Sequence, residues 1–522
     1  MTPDASAGPS YPRVIAEALA RFGGREAFVD GGRRLTYARC AEIVSQFQQV
    51  LHEAGIGAGT TVVALSPNVP EVFLAQVAAW LNGARYSGLH PLGSVEDHIA
   101  LCDDAGASVL IAHPDYAETA IAVAEGCPAL RSVLFLGDCD AGQNLLTRAS
   151  ARAPRRLRPP AARTSDTLWM VYTGGTTGRS KAVLHGHRSM VAGMLGITSA
   201  WALPTTPRYL ACGPITHASV LPVVPTLARG GVVVLNRGFD PERWLDTITR
   251  ERVNYSFIVP TMLYTLLDRC DPRRHDLSSL QSVVYGSAPA SAARLAEALD
   301  ALGPILTQGY GQSETLGLAT VLRADEHDPA GRPELLSSCG RPVPGAEIVI
   351  LDDGGDEVAD GEVGELCLRA GFVMDGYWNR PALSADALRG GWLHTGDMAT
   401  RRKDGFLYIV DRKKDMIISG AFNIYPRDIE EVLAADPAIS AAAVIGVPDP
   451  KWGEAVTAFV VARPGARVDV ERLRSAVRAR KGSHHVPKQV HEVTALPVTN
   501  LGKVDKKALR APFWQGRARA VN

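Results

Sequence analysis

The chain has 522 residues, 46% hydrophobic and 21% charged, with 55 Lys and Arg balancing 55 Asp and Glu. That length allows two or more domains of ordinary globular composition, and a formal net charge of zero excludes a general attraction to nucleic acid or anionic membrane. No apolar run approaches the roughly 20 residues of a membrane span, and the start Met1-Thr2-Pro3-Asp4-Ala5-Ser6 lacks the basic and apolar regions of a secretory signal. Cys40, Cys102, Cys127, Cys139, Cys212, Cys270, Cys339 and Cys367 show neither metal-site nor C-x-x-C spacing. They are expected to be reduced structural thiols of a cytoplasmic protein.

Pro12, the stripe Val14, Ile15, Ala18, Leu19 and Phe22, and the stop Gly23-Gly24 predict a helix over 12–23. Short buried strands are expected at 61–65 and 108–112. Between them, Val72, Phe73, Val77, Trp80 and Leu81 give helical spacing over 70–82. Strand and helix patterns alternate to about residue 330, with strands at 231–235 and 255–259, which implies parallel α/β layers. The Arg-, Ala- and Pro-rich stretch 140–166 reads as a linker. From about 340 short β-like runs dominate, such as 347–351 before Asp352-Asp353-Gly354-Gly355. After Asp411 comes a basic turn, Arg412-Lys413-Lys414. A compact segment follows, with helices at 428–435 and 469–480 and strands at 441–447 and 455–462. The tail after Pro512 is expected to fray.

The apolar run Leu168-Trp169-Met170-Val171-Tyr172 leads into Thr173-Gly174-Gly175-Thr176-Thr177-Gly178-Arg179-Ser180-Lys181. Glycines let backbone N–H groups approach a ligand, and the Thr hydroxyls and the Lys ammonium add donors and positive charge, so the loop suits a polyphosphate. The spacing is not that of a Walker A loop. His185-Gly186-His187 and His484-His485 lack further ligands at metal-site spacing. Gly55-Ile56-Gly57-Ala58-Gly59 fails the dinucleotide fingerprint.

Six separated segments between 172 and 503 resemble, in order, the adenylate-forming superfamily of acyl- and aryl-CoA synthetases, peptide-synthetase adenylation domains and firefly-type luciferases. They are the glycine loop; Gly213-Pro214-Ile215-Thr216-His217-Ala218-Ser219; Gly286-Ser287-Ala288-Pro289 with Gly309-Tyr310-Gly311-Gln312-Ser313-Glu314; Trp392-Leu393-His394-Thr395-Gly396-Asp397; Asp411-Arg412-Lys413-Lys414-Asp415 with Ser419-Gly420-Ala421-Phe422-Asn423-Ile424-Tyr425-Pro426; and Pro497-Val498-Thr499-Asn500-Leu501-Gly502-Lys503. Weaker similarity upstream, at 51–55 and 67–71, extends the likeness over essentially the whole chain.

The resemblance implies a large α/β N-terminal domain, residues 1–411, of layered α/β subdomains plus a β-rich subdomain. A small mobile α+β C-terminal domain, 412–522, would carry the catalytic Lys. It implies ATP, Mg²⁺ and CoA as cofactors and co-substrates. Thr173, Gly174, Gly175, Thr176, Thr177, Gly178 and Lys181 would grip the β- and γ-phosphates. Gly286, Ser287 and Ala288 would lie along the adenine, on which Tyr310 would stack beside Gly311. Ser313 would reach the α-phosphate, Glu314 would hold Mg²⁺, and Asp397 and Arg412 would bind the ribose. Lys503 would bridge the substrate carboxylate and the α-phosphate as the charge-stabilising catalyst, with Thr173, Glu314 and His217 beside it. Lys414 would be the hinge, and Gly420 and Ala421 would border the CoA tunnel.

The chain departs from the family pattern at Ser180, Ala182, Ser313 and Ala421; the last adds a methyl where a second glycine is usual. An amino acid substrate is disfavoured, since neutral His217 stands where amino-acid-activating relatives have an Asp. The pocket set His217, Val220, Val259, Met262, Gly286, Gly309 and Leu318 is mostly small or apolar and offers no cation for a second carboxylate, which favours a lipophilic acid: fatty, aryl, alicyclic or terpenoid. The expected activity is ATP-dependent formation of acyl-AMP and then acyl-CoA. The alternatives are an enzyme that stops at acyl-AMP or serves a separate carrier protein or partner enzyme, and a non-catalytic acyl or nucleotide sensor. The ending Ala520-Val521-Asn522 differs from the Ser-Lys-Leu of the beetle luciferases. Expected partners are the small acid and CoA, with no nucleic acid and no transmembrane segment; a homodimer is compatible with the sequence.

Overall fold

Two predominantly parallel sheets, one antiparallel sheet and one mixed sheet build the molecule. The computed structural model describes residues 10–159, 166–173, 180–419, 422–499 and 504–515, with the backbone alone at Lys414 and Asn423. Gly174, Gly175, Thr176, Thr177, Gly178, Gly420, Ala421 and Lys503, the Lys414 side chain and the tail 516–522 lie outside the described residues.

The first sheet has eight strands and includes Arg85–Gly88, Thr61–Leu65 and Ala107–Ala112 in parallel, with Thr167–Thr173 and Lys181–Gly186 as a hairpin toward one side. Thr61–Leu65 and Ala107–Ala112 are buried throughout, as continuous apolar runs must be when helices cover both faces. The second sheet has nine strands. Six run parallel in the spatial order Leu306–Tyr310, Ser282–Gly286, Tyr255–Ile258, Arg208–Ala211, Val232–Leu235 and Glu26–Asp30. Helices pack between and around them. In Pro241–Glu251, Asp240 caps the first turn through Arg243 N–H, and Trp244, Leu245 and Ile248 form the buried stripe.

From residue 346 the chain forms an antiparallel sheet of Ala346–Leu351, Gly364–Ala370, Leu393–Arg401 and Leu407–Arg412. The remainder forms a smaller sheet around the long hairpin Ile439–Asp449 and Gly453–Ala462, covered by the helices Pro426–Ala434 and Val470–Lys481. A large N-terminal α/β domain and a smaller C-terminal α+β domain result. Among the described residues no helix is long and apolar enough to cross a membrane.

Two sequence expectations need correction. The stretch 140–166 is not all linker: Gln143–Asn144 adds an edge strand and Leu145–Ser150 a short helix, capped by Asn144 and anchored by buried Leu145. The tail does not fray directly after Pro512. Phe513 packs against Phe459, and Trp514 Nε1–H donates to the Gly446 carbonyl at 3.0 Å.

Several histidines are held neutral inside this core. His327 contacts the Tyr285 hydroxyl at 2.9 Å and the Arg323 carbonyl at 2.7 Å, and burial lowers it to about 4. His185, fully buried, is lowered to about 4 by the same cause. Below the unfolded value of ~6.5 the unfolded chain takes up these protons first, so stability present near neutrality is lost as pH falls toward the folded values. The melting temperature should therefore fall steadily from pH 7 to 5, less steeply in His327→Gln. Identical slopes in the two proteins would contradict this origin.

Candidate functional site

The parallel strands of the nine-stranded sheet all end on one edge, and the segments leaving that edge carry most of the candidate residues. Gly286 and Gly309 are register partners on adjacent strands. A Cβ on Gly286 would lie 2.3 Å from the Gly309 carbonyl oxygen, so only glycine allows this approach. The next residue, Ser287, has φ +68, a left-handed conformation that a non-glycine residue rarely adopts. Ala288 follows it out of the sheet, while Tyr310 and Gly311 leave the neighbouring strand toward the short turn Ser313–Thr315.

Asp397 is only 4% exposed. Its Oδ2 accepts from the Tyr310 hydroxyl at 2.7 Å and from Gln312 Nε2 at 2.7 Å, and its Oδ1 lies 3.2 Å from Arg412 Nε. Asp397 and Arg412 are cross-strand partners, so the antiparallel sheet presents this carboxylate to the edge of the nine-stranded sheet. Gln312 Nε2 also donates to the Thr395 carbonyl at 2.9 Å. The Asp397 carboxylate raises the Arg412 pKa, and burial followed by the same carboxylate holds the Tyr310 hydroxyl protonated. Gln312 lay inside a recognised motif without an assigned role; its long amide is what ties that motif to Thr395 and Asp397.

A second cluster surrounds Glu314, also buried. Its Oε1 accepts from the Tyr377 hydroxyl at 2.8 Å and lies 3.5 Å from Lys181 Nζ, which sits 3.8 Å from the Tyr377 ring centroid. Thr173 and Lys181 face each other across the hairpin whose loop carries the glycines. His185 Nε2 lies 2.7 Å from the Ser313 carbonyl and Nδ1 3.2 Å from Ser189 Oγ, so both ring nitrogens are engaged and the ring braces the Ser313-Glu314 turn. Tyr377 gave no signal in the sequence, because it reaches Glu314 only through the pairing of Gly376–Tyr377 with Lys181–Gly186.

His217 occupies the turn after Arg208–Ala211. Its Nδ1 is 2.9 Å from Thr216 Oγ1, and its ring lies edge-on to His90 at 4.8 Å. Burial, with His90 and His98 nearby, lowers it to about 3, so the ring is neutral. The backbone of Thr216 comes so near Gly88 that a Cβ there would lie 2.6 Å from its carbonyl. His90 therefore joins this wall through chain folding alone. Val220 is buried one turn away, and Met262 Cε approaches Gly213. Val259 caps the helix Pro260–Arg269. Leu318 is fully enclosed and packs toward Gly196. Trp201, stacked on Phe257 at 5.5 Å, lines the far side of Gly309 and Gly317.

After Arg412, Lys413–Asp415 forms a single turn leading to the hairpin of Ile417–Ser419 and Phe422–Ile424. Asp411 accepts from Arg412 N–H at 2.7 Å and Arg427 N–H at 3.0 Å, so its carboxylate braces the turn from both sides.

The site thus offers paired carboxylate acceptors beside an aromatic ring, a carboxylate–ammonium pair next to a glycine hairpin, and a wall of neutral and apolar groups. The profile of the AMP-binding enzyme family matches residues 15–378, and that of the AMP-binding enzyme C-terminal domain matches residues 428–503. A medium/long-chain-fatty-acid–CoA ligase of Mycobacterium tuberculosis is 42% identical, covering 97% of this chain and 91% of the relative. A feruloyl-CoA synthase of Amycolatopsis is 38% identical over 92% and 95%. The solved structure of an amide bond synthetase, McbA, from Marinactinospora thermotolerans aligns with a TM-score of 0.89 at 36% identity, over 96% of this chain and 99% of that one. The chain belongs to the AMP-binding, adenylate-forming enzyme family.

Proposed function

We propose that the chain is an AMP-forming carboxylic acid:CoA ligase acting on a lipophilic acid. The observation that carries this reading is the buried Asp397 carboxylate, ringed by Tyr310, Gln312 and Arg412. It is an acceptor pair suited to two ribose hydroxyls beside a ring suited to a purine. Both relatives named above as CoA-forming act on lipophilic acids, one aliphatic and one aromatic.

In the first step a substrate carboxylate oxygen attacks the ATP α-phosphorus, and the bond to the β-phosphate oxygen breaks. The products are acyl-AMP and pyrophosphate. Lys181 and the loop 173–181 hold the leaving phosphates, Ser313 contacts the α-phosphate, and Lys503 offsets the charge that builds on it. Glu314 fits Mg²⁺: Tyr377 and Lys181 both engage Oε1, while Oε2 carries no hydrogen bond among the described residues. A hard cation there would neutralise phosphate charge. His217 stays neutral and with Val220, Val259 and Met262 forms a pocket without a countercharge for a second ionic group, which favours a fatty or aryl acid. In the second step the CoA sulfur attacks the acyl carbon, the thiol proton is released and AMP leaves. The boundary at 411/412, with Lys414 as hinge, lets the C-terminal domain turn between the two steps. Acid and CoA are the partners, and the setting is cytoplasmic.

A second reading is favoured by Ala421, where the family usually has glycine, and by the likeness to an amide bond synthetase. In it the adenylate passes to another acceptor, such as an amine or a carrier protein. Pyrophosphate release over a panel of lipophilic acids, with product mass with and without CoA, separates the two. Acyl-CoA accumulation supports the ligase; acyl-AMP that CoA never consumes supports the second reading.

Lys503→Ala is expected to slow acyl-AMP formation 10²–10³-fold, on the order of one lost oxyanion donor, while thioester formation from supplied acyl-AMP persists. Adenylation at the wild-type rate would refute the assignment. Asp397→Asn keeps the shape but removes the ionised acceptor. It should raise the KM for ATP roughly ten- to hundredfold, on the order of a charged hydrogen bond, without changing the KM for the acid. Tyr377→Phe should raise the Mg²⁺ requirement several-fold; an unchanged Mg²⁺ titration would show that the Tyr377–Glu314 contact is only structural.

A further inference from the structure

The indole of Trp201 carries a buried donor that no described residue accepts. Trp201 is 2% exposed, and its Nε1, buried from solvent, has no hydrogen-bond partner among the described residues. A buried hydroxyl in that position could turn toward a new partner, but an indole N–H points where its ring points and can only donate. The ring is held flat against Phe257, with centroids 5.5 Å apart and planes inclined by 2°. The donor is therefore aimed in one fixed direction, and leaving it unpaired costs the ligand-free protein stability.

Its place says what it is aimed at. Trp201 follows the helix His187–Ala200. That helix approaches the acid pocket through its glycines: a Cβ on Gly193 would meet Leu316, and one on Gly196 would meet Leu318. Past them, the indole edge fills the space where a side chain of Gly309 would stand. A Cβ on Gly309 would lie 3.0, 3.1 and 3.2 Å from Nε1, Cε2 and Cζ2 of Trp201, and the same edge continues to Gly317. Gly309 is one residue inside Tyr310, and Phe257 is two residues inside Val259. At ~3.3 Å per strand residue, the indole stands about 3–7 Å below the sheet edge where Tyr310, Val259 and His217 gather. The carboxylate of the acid has to meet the α-phosphate at that edge, so the other end of the acid runs inward to the indole.

The surroundings say what kind of group it meets there. A buried water needs two or more polar partners, and the side chains beside this edge, Phe257 and Leu221, offer none. A charged group finds no countercharge, because Val220, Val259 and Met262 are apolar and His217 is held neutral. A single neutral acceptor on an apolar tail satisfies the donor and is far cheaper to bring out of water than an ion.

We propose that Trp201 reads the far end of the acid: its Nε1–H donates to an acceptor oxygen there, so that lipophilic acids ending in an ether, ketone or phenol are preferred over the matching hydrocarbons. This sharpens the lipophilic-acid reading above and rests on it.

Two measurements test it. Acid-dependent pyrophosphate release is compared for acids matched in shape, para-methoxycinnamic against para-ethylcinnamic and ω-methoxyoctanoic against decanoic. The oxygenated member of at least one pair should have a kcat/KM about tenfold higher, on the order of one well-made hydrogen bond. Trp201→Phe keeps an aromatic ring on Phe257 and removes the N–H. It should bring that ratio to about one, whereas a residue that only fills space would change both acids alike. No preference in the wild type, or a preference that survives in Trp201→Phe, would overturn the proposal. A crystal structure of the wild-type protein with the adenylate of the better oxygenated acid decides the matter even if the variant does not fold. It should place the tail oxygen within about 3.2 Å of Trp201 Nε1; a water or protein oxygen on that nitrogen, with the tail elsewhere, would overturn the proposal. If no lipophilic acid elicits pyrophosphate release, the acid-activating reading falls and the proposal with it. If the acids are adenylated without regard to the oxygen, the proposal alone falls.

Discussion

A carboxylate that is 96% buried must be paid for in hydrogen bonds and charge, and the way Asp397 meets that demand organises the whole centre. Its partners come from the nine-stranded sheet, through Tyr310 and Gln312, and from the adjacent strand that ends at Arg412. Removing Asp397 would take this acceptor from the Tyr310 hydroxyl and the Arg412 guanidinium and leave Gln312 with the Thr395 carbonyl alone. The same partners are those a nucleoside would exchange for its ribose hydroxyls. The pairing that holds the site together without ligand is therefore also the one that ligand binding would rearrange.

Glu314 repeats this logic at the seam with the eight-stranded sheet. Lys181 and Tyr377 are presented by paired strands of that sheet, while Glu314 belongs to the turn after Tyr310. Only Ser313 separates Gln312 from Glu314, so one short turn ties three sheets together. His185 braces that turn from within the core at the Ser313 carbonyl. Burial holds it neutral, so it adds no charge beside the Glu314 carboxylate.

Much of this was legible in the residues. The alternation of buried runs and helical stripes to about residue 330 led to parallel layers, and the six ordered segments placed Asp397, Glu314, Tyr310, Lys181 and Arg412 in one family pattern. What was not legible is contact between segments remote in sequence. Tyr377 and Glu314 are 63 residues apart, and they meet only because a two-residue strand adds to the edge of the glycine hairpin. His90 and His217 meet because Gly88 admits the Thr216 backbone. Neither has a periodicity or a spacing to read. The Pro- and Arg-rich stretch 140–166 misled in the opposite direction, because composition obscured the Asn144 cap and the buried Leu145 that make a helix there.

The spatial order of the strands, which differs from their order in the chain, is what separates the chemical tasks. Leu306–Tyr310 and Ser282–Gly286 lie together and present the aromatic ring and the close glycine contact suited to a flat base. Tyr255–Ile258 and Arg208–Ala211 come next, with Val259, Met262 and His217 at their ends. Val232–Leu235 and Glu26–Asp30 lie further out, where Arg237, Arg243 and Arg250 gather. Along one edge the surface passes from aromatic to neutral and apolar, and then to cationic. A neutral His217 in the middle preserves that gradient, whereas a protonated one would put a positive charge in the apolar stretch. Burial, helped by His90 and His98, prevents this: it lowers the ring to about 3 and so keeps it uncharged near neutrality.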